Sequence, residues 1–263
     1  MMHPLVFDIK RTATKDGPGV RTVLFFKGCN LDCYWCHNPE GKSACAQLAL
    51  FEEKCDGCGV CRRLCQSPDG CTLCGECTRT CHTGARRLYG KEMTVNALLA
   101  TVLEDAPFYE ATGGGVTFSG GECLLYPDFI ADLAKKCKEK GVHVAVDTAG
   151  CVPFSAFEAV LPYTDLFLYD IKALDPALHA RGTGKDNALI LKNLDALCAR
   201  GTRVLVRIPV IPDFNEGEEL SRIKAYCEAR SLPYECLPYH ALGEGKREAL
   251  ARMKKSDAKD CFP

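Results

Sequence analysis

From about residue 90 onward, short apolar runs alternate with longer stretches whose apolar residues recur every three or four positions. The short runs predict strands at 22–27, 116–119, 143–147, 166–171, 203–209 and 233–237. The longer stretches predict helices at 94–105, 127–139, 154–161, 187–199 and 216–229, as in the spacing of Leu98 and Val102 or of Phe129, Leu133 and Cys137. Nearly continuous apolar strands separated by helices indicate βαβ units around a parallel sheet. Six strands are too few for a closed eight-stranded barrel, which leaves an open, partial barrel or a doubly wound sheet. A charged segment at 245–255 also reads as helical.

Polar and reactive residues gather at one end of these strands. Cys29 follows the first, Gly120, Gly121 and Glu122 follow the second, and Asp147 and Thr148 close the third. Asp170 and Lys172 close the fourth, Arg207 lies on the fifth, and Tyr239 and His240 follow the sixth. Any one of them taken alone is most simply a solvated loop residue. Six at the same edge locate an active site, because parallel α/β folds carry their chemistry at the C-terminal ends of the strands.

A chain of 263 residues allows one sizeable core, or one core plus a small module. Net charge is −1, so no overall positive field draws nucleic acid or an anionic membrane, and neither is expected as a partner. The first ten residues lack a secretory pattern and no apolar run reaches membrane-spanning length, so a cytoplasmic protein is expected. The 19 cysteines change the picture. Three form one tight group and eight another, many of them two residues apart, in a chain too long for a small disulfide scaffold. Metal or cluster ligation in a reducing compartment is the reading this supports.

Cys29, Cys33 and Cys36 have three and then two residues between them. A [4Fe–4S] cube has four iron corners, so three local thiolates leave one iron open, as a site that admits a substrate requires. The alternative is structural zinc with His37 or Cys45 as fourth ligand, although zinc sites usually pair their ligands in two separated halves. The second group is an internal repeat, Cys55, Cys58, Cys61, Cys65 and then Cys71, Cys74, Cys77, Cys81. In bacterial ferredoxin repeats the fourth cysteine of each run ligates the other cluster. One cluster is therefore expected on Cys55, Cys58, Cys61 and Cys81, and the other on Cys71, Cys74, Cys77 and Cys65. The proline usual after the fourth cysteine is replaced by Gln66 and His82, and a zinc ribbon is the alternative. Cys45, Cys123, Cys137, Cys151, Cys198, Cys227, Cys236 and Cys261 are expected mostly as small buried hydrophobes.

The Cys29–Cys33–Trp35–Cys36 pattern resembles the signature of the radical S-adenosylmethionine superfamily. The Asp16-Gly17-Pro18-Gly19-Val20-Arg21 run before it and the Cys36-His37-Asn38-Pro39 run closing it are similar to the glycyl radical enzyme activating enzymes. So, in order, are Ser119 to Glu122, Asp147 to Gly150, Asp170 to Lys172 and Leu237 to His240. The resemblance implies a partial parallel (β/α)6 TIM-like barrel, residues 1–45 and 88–263, with a ferredoxin-like two-[4Fe–4S] insert at 46–87. It implies three [4Fe–4S] clusters and S-adenosylmethionine bound by Trp35, Gly120, Gly121, Glu122, Lys172, Arg207 and His240. It also implies a monovalent cation at Asp147, Thr148 and Asp170, although Asp147 and Asp170 would equally cap turns. Asp16 would grip the glycine loop of a partner glycyl radical enzyme, or would be part of an ordinary turn. A flavodoxin or ferredoxin-type protein would donate electrons, and the enzyme would act as a monomer. Two rivals stand beside this: a radical enzyme acting on a small molecule or another protein residue, and a plain electron-transfer protein.

Overall fold

A computed structural model of the chain describes residues 3–65 and 71–252. In chain order it builds β1 (Leu5–Ala13), β2 (Arg21–Phe26), β3 (Gln47–Leu50), α1 (Val60–Leu64), α2 (Glu76–Arg79), β4 (Arg86–Tyr89) and β5 (Lys91–Glu92). There follow α3 (Val95–Leu103), α4 (Ala106–Thr112), β6 (Gly115–Gly120), α5 (Pro127–Glu139), β7 (His143–Thr148), α6 (Phe154–Val160) and β8 (Leu166–Asp170). The chain continues through α7 (Pro176–Thr183), α8 (Ala188–Ala199), β9 (Val204–Val210), α9 (Glu218–Ala229), β10 (Tyr234–Pro238) and α10 (Leu242–Ala251).

The main sheet has eight strands in the order β10-β9-β8-β7-β6-β2-β1-β5. The six strands from β2 to β10 are parallel, and each was expected from its apolar run. Their order never reverses, so the switch point of a doubly wound sheet is missing and the open, partial barrel is the architecture that fits. Two antiparallel strands, β1 and β5, extend one edge. The apolar-run reading missed both. β1 is half exposed and mixes Asp8, Lys10 and Arg11 among its apolar positions, so it never forms a continuous apolar run.

Strand periodicity sorts the two faces of the sheet. Val116, Phe118, Val144, Val146, Phe167, Tyr169, Val206 and Ile208 point to the helices and join the main core. The alternate positions, Ser119, Asp147, Asp170 and Arg207, therefore share the concave face. That is how buried charges come to line a parallel sheet otherwise built from Val, Ile and Phe. Among the described residues no helix is long and apolar enough to cross a membrane.

Between β2 and β6 the chain leaves the barrel. β3 and β4 pair antiparallel as a separate two-stranded sheet. The cysteine repeat lies between them, on two very short helices. Each helix starts after a glycine in the left-handed region, Gly59 at φ 69° and Gly75 at φ 77°, where a side chain would be disfavoured. These turns follow Cys58 and Cys74 directly and fold Cys61 and Cys77 back toward them.

Candidate active site

The loop of Cys29, Cys33 and Cys36 is closed by its own backbone. Gly28 N–H donates to the Gly41 carbonyl at 2.7 Å, and Cys29 N–H to that of Lys42 at 2.9 Å. The Lys42 ammonium reaches the Cys33 carbonyl at 2.9 Å. The far side is tied to the end of α7, with Asp32 N–H on the Thr183 carbonyl and Tyr34 N–H on that of Gly182. Helix α7 was not expected from periodicity. Its buried face carries His179, Gly182 and Thr183 rather than an apolar stripe.

Burial pushes the Cys29 thiol up to about 12 and the Cys33 thiol up to about 11, and raises Cys36 as well. Such thiols ionise only if a cation is supplied, and iron would supply it. The Lys172 and Lys42 ammonium groups already act in that direction on Cys33 and Cys36. Five buried side-chain polar atoms lack a hydrogen-bond partner among the described residues, and three of them, Asn30 Oδ1, His37 Nε2 and Glu40 Oε2, lie on this loop. Three sulfurs, fixed cations and unpaired polar atoms make a donor set that suits a cluster carrying a polar ligand.

Gly120 and Gly121 bring the end of β6 against the start of the cysteine loop. A Cβ on Gly120 would stand 2.2 Å from the Phe26 carbonyl oxygen, and one on Gly121 2.2 Å from that of Gly28. No other residue allows that approach. Glu122 follows, fully buried. It accepts from the Thr148 hydroxyl at 2.9 Å, from Leu124 N–H at 3.1 Å and from Ala149 N–H at 3.0 Å. Burial nevertheless pushes its pKa up to about 7. With both oxygens hydrogen-bonded, Glu122 braces the loop after β6 against the end of β7.

The Thr148 hydroxyl donates to Glu122. Asp147 accepts from the Ser119 hydroxyl at 2.7 Å and lies 3.4 Å from Arg207. Burial pushes Asp147 up to about 6 against the pull of Arg207. Asp170 pairs with Lys172 at 2.7 Å. Burial opposes the Lys172 and Arg207 charges, but surrounding carboxylates, and for Lys172 also the Cys33 and Cys29 sulfurs, outweigh it and hold both cations above their ordinary values. The positive charge beside Asp147 and Asp170 thus comes from the chain itself. His240 is exposed and stacks on His37 with ring centroids 3.8 Å apart. Trp35 is buried against Phe214, centroids 4.4 Å apart, and is core as much as site. Asp16 lies on the β1–β2 connection, close enough to Arg207 and Asp147 to act on both charges, and its carbonyl accepts from Thr117.

In the insert, Cys65, Cys71, Cys74 and Cys77 line one cavity of about 30 Å³, closed by Leu48, Leu64 and Leu88. Near the other set, Asp56 and His82 pair at 2.9 Å beside Cys58. The Arg86 guanidinium bonds to the sulfurs of Cys61 and Cys77, one from each expected quartet. Of the remaining cysteines, Cys123, Cys137, Cys151 and Cys227 are buried, Cys198 is half-buried and Cys236 is exposed. Cys261 lies outside the described residues.

Sequence reasoning missed the residues that hold the site's loops. Asn193 donates to the carbonyls of Gly150 and Val152, pinning the loop after β7. Asn215 does the same for Lys172 and Pro209. Asn193 offered a signal: it is a polar residue inside the apolar stripe of α8, between Ile190 and Leu197. Arg21 gave none. It is fully buried and bonds Thr117 and the carbonyl of Pro18, anchoring the turn that carries Asp16.

Comparison with known proteins places this arrangement. The chain matches the radical SAM superfamily over residues 23–222. It is 39% identical to the trans-4-hydroxy-L-proline dehydratase activating enzyme of Clostridioides difficile, over 97% of this chain and 91% of that protein. It is 39% identical to the benzylsuccinate synthase activating enzyme of Thauera aromatica, over 96% and 83%. For the choline trimethylamine-lyase activating enzyme of Oleidesulfovibrio alaskensis the identity is 37%, over 94% and 86%. Among solved structures, SuiB of Streptococcus suis bound to the precursor peptide SuiA superposes with a TM-score of 0.55 at 11% identity, over 84% of this chain and 39% of that one, a likeness of fold alone. Similarity to these activating enzymes spans nearly the whole chain, cysteine loop and insert included, and the chain belongs to the radical S-adenosylmethionine superfamily and, within it, to the glycyl radical enzyme activating enzymes.

Proposed function

We propose that Cys29, Cys33 and Cys36 hold a [4Fe–4S] cluster by three of its irons, and that Lys172 and Arg207 orient S-adenosylmethionine at the fourth. When bound, the reduced cluster supplies the electron that breaks the S–C5′ bond of S-adenosylmethionine, and the 5′-deoxyadenosyl radical takes a hydrogen atom from a glycine of the partner enzyme. The observation that carries this reading is the thiol trio with the Lys172 ammonium acting on it, on the face that also carries Arg207, since a carboxylate is best fixed by charged, pre-oriented donors. The backbone at Gly120 and Gly121 offers the ligand's ammonium group a close approach, and Glu122 keeps that backbone in place. His240, stacked on His37, closes the open side over the methionyl part, and Trp35 packs toward the adenine. Asp16, held by Arg21 and Thr117, faces the partner's glycine loop from the β1–β2 connection.

The insert carries two further [4Fe–4S] clusters, on Cys55, Cys58, Cys61 and Cys81 and on Cys71, Cys74, Cys77 and Cys65, three in all with the site cluster. They relay electrons from a flavodoxin or ferredoxin-type donor in the cytoplasm. The enzyme acts as a monomer on a glycyl radical enzyme. Relatives named for a dehydratase, a synthase and a lyase stand at near-equal identity, so the glycine loop, rather than one substrate class, defines the partner.

The test is anaerobic. Reconstituted protein, dithionite and S-adenosylmethionine should give methionine and 5′-deoxyadenosine in equal amounts, and a glycyl doublet in the electron paramagnetic resonance spectrum of an added glycyl radical enzyme. Reduction without cleavage would leave only an electron-transfer protein. Cleavage without the doublet on any glycyl radical enzyme would point to a small-molecule substrate or another protein residue.

A further inference from the structure

Helix α10 joins two parts of the molecule that the sequence keeps far apart. At its first turn, Gly243 packs so closely on the turn after the third cysteine that a Cβ there would stand 2.2 Å from the Cys36 carbonyl oxygen. One turn on, the Lys246 ammonium donates to the His37 carbonyl at 3.2 Å, to Asn38 Oδ1 at 3.2 Å and to Glu40 Oε1 at 2.6 Å. Arg247 bonds the carbonyl of Tyr34. Glu40 is buried, and its own carbonyl accepts from the fully buried Lys27, whose ammonium also reaches Gln47 at 3.1 Å. Gln47 opens the first strand of the cysteine insert.

The far end of α10 lies on that insert. Ala249 packs with Phe7, Ala49 and Tyr89, Leu250 joins the same cluster beside Phe51, and Arg252 pairs with Glu52 at 2.9 Å. Glu52 stands three residues before Cys55. One helix thus touches the turn after Cys36 at one end and the base of the insert at the other. Its central ammonium is matched to the buried carboxylate of Glu40, whose backbone carbonyl connects, through Lys27, to β2 and β3.

We propose that α10 is a strap that fixes the Cys36 turn relative to the insert, with Lys246 as its positioning residue. Electron transfer into the site and the placement of the open iron corner both depend on a fixed spacing between these two parts. Side-chain bonds to carbonyls on either side of a ligating cysteine set the pose of that ligand. This inference rests on the proposed ligand role of Cys36, but its first test does not need the cluster.

In the full-length, cluster-free protein, Lys246→Met should speed amide hydrogen exchange of residues 34–42 by about tenfold, and Lys246→Arg should restore protection. Arg252→Glu removes the exposed pairs to Glu52 and Glu248 at the insert end and touches no residue of the Cys36 turn. A strap requires that it too speeds exchange at residues 34–42, by about threefold. In the reconstituted, reduced protein with S-adenosylmethionine, Lys246→Met should change the paramagnetic resonance line shape of the site cluster, and Lys246→Arg should keep that of the parent. Parental exchange at residues 34–42 in either Lys246→Met or Arg252→Glu would overturn the proposal, as would a parental line shape in Lys246→Met. If the parent itself cleaves no S-adenosylmethionine, the radical reading fails while the exchange measurements still decide the strap.

Discussion

The two cysteine groups have similar spacing and opposite surroundings. In the barrel, Cys33 is buried and Cys29 and Cys36 are half-buried, on a loop stitched to itself and to α7. In the insert, Cys55, Cys58, Cys65 and Cys74 are exposed, on loops around two short helices, and only Cys65 and Cys74 of these line the small leucine-walled cavity. A site that makes a carbon radical must exclude water, and fixed cations in a dry pocket then act at full strength. A relay must instead come close to a donor protein's surface. On the proposed reading, spacing names the kind of cluster, while burial and the charges around it decide what the cluster is used for.

The largest expected effect breaks the symmetry between the groups. Cys33→Ala should reduce dithionite-driven S-adenosylmethionine cleavage to background. Cys74→Ala should leave that chemically driven reaction within about tenfold of the parent, ~1.4 kcal/mol in barrier, and should slow only the reaction driven by a protein donor. Equal loss in both variants would erase the distinction between site and relay.

Removing a cation from each region comes next. Arg207→Met leaves the largely buried Asp147 without its cation and the partly exposed Glu235 without a pair, and should lower the unfolding free energy by ~2–3 kcal/mol. Arg86→Met in the half-buried insert should cost about 1 kcal/mol. Urea unfolding of the two variants beside the parent measures both, and a larger loss at Arg86 would reverse the comparison.

A pH series sharpens the same point. Burial raises Glu122 from 4.5 to about 7 and Asp147 from 3.8 to about 6. Both folded values exceed the unfolded ones, so folding favours the protonated forms. The associated stability is complete below the unfolded values and is lost as pH rises through about 6 and then about 7. Between pH 5 and pH 8 the parent should therefore lose on the order of 3 kcal/mol relative to Glu122→Gln. A pH-independent difference between the two would show that the Glu122 carboxylate stays ionised under its three donors.

The smallest effect lies outside both regions. Arg200 pairs with Glu158 at 3.2 Å on the surface and lies over the Phe154 ring. Arg200→Gln should change the unfolding free energy by no more than about 0.5 kcal/mol.

Six parallel strands and five of the barrel helices were legible, most within one or two residues, because burial on both faces writes a continuous apolar run and amphipathic helices write a 3.6-residue period. What escaped had neither signal. β1 is a half-exposed edge, α7 buries His179 and Thr183, and α1 and α2 are too short to show a period. The buried charges were not legible either. Arg21 and Lys27 flank an apolar strand as solvated residues often do, and only the tertiary structure shows them fully buried, holding the Asp16 turn and the Glu40 turn. Glu122 and Thr148 stood in the right block of sequence, but their hydrogen bonds to each other required β6 and β7 to be side by side.

The central claim is that the cluster on Cys29, Cys33 and Cys36 presents an iron with no protein ligand, at which S-adenosylmethionine chelates. Electron–nuclear double resonance on the reduced, reconstituted protein with S-adenosylmethionine labelled with ¹⁵N at its amino group tests it directly. The account predicts a ¹⁵N coupling of the size expected for nitrogen bound to iron, lost when the ligand is omitted. No such coupling in a protein that binds S-adenosylmethionine, or a coupling assigned instead to an imidazole of the chain, would contradict it.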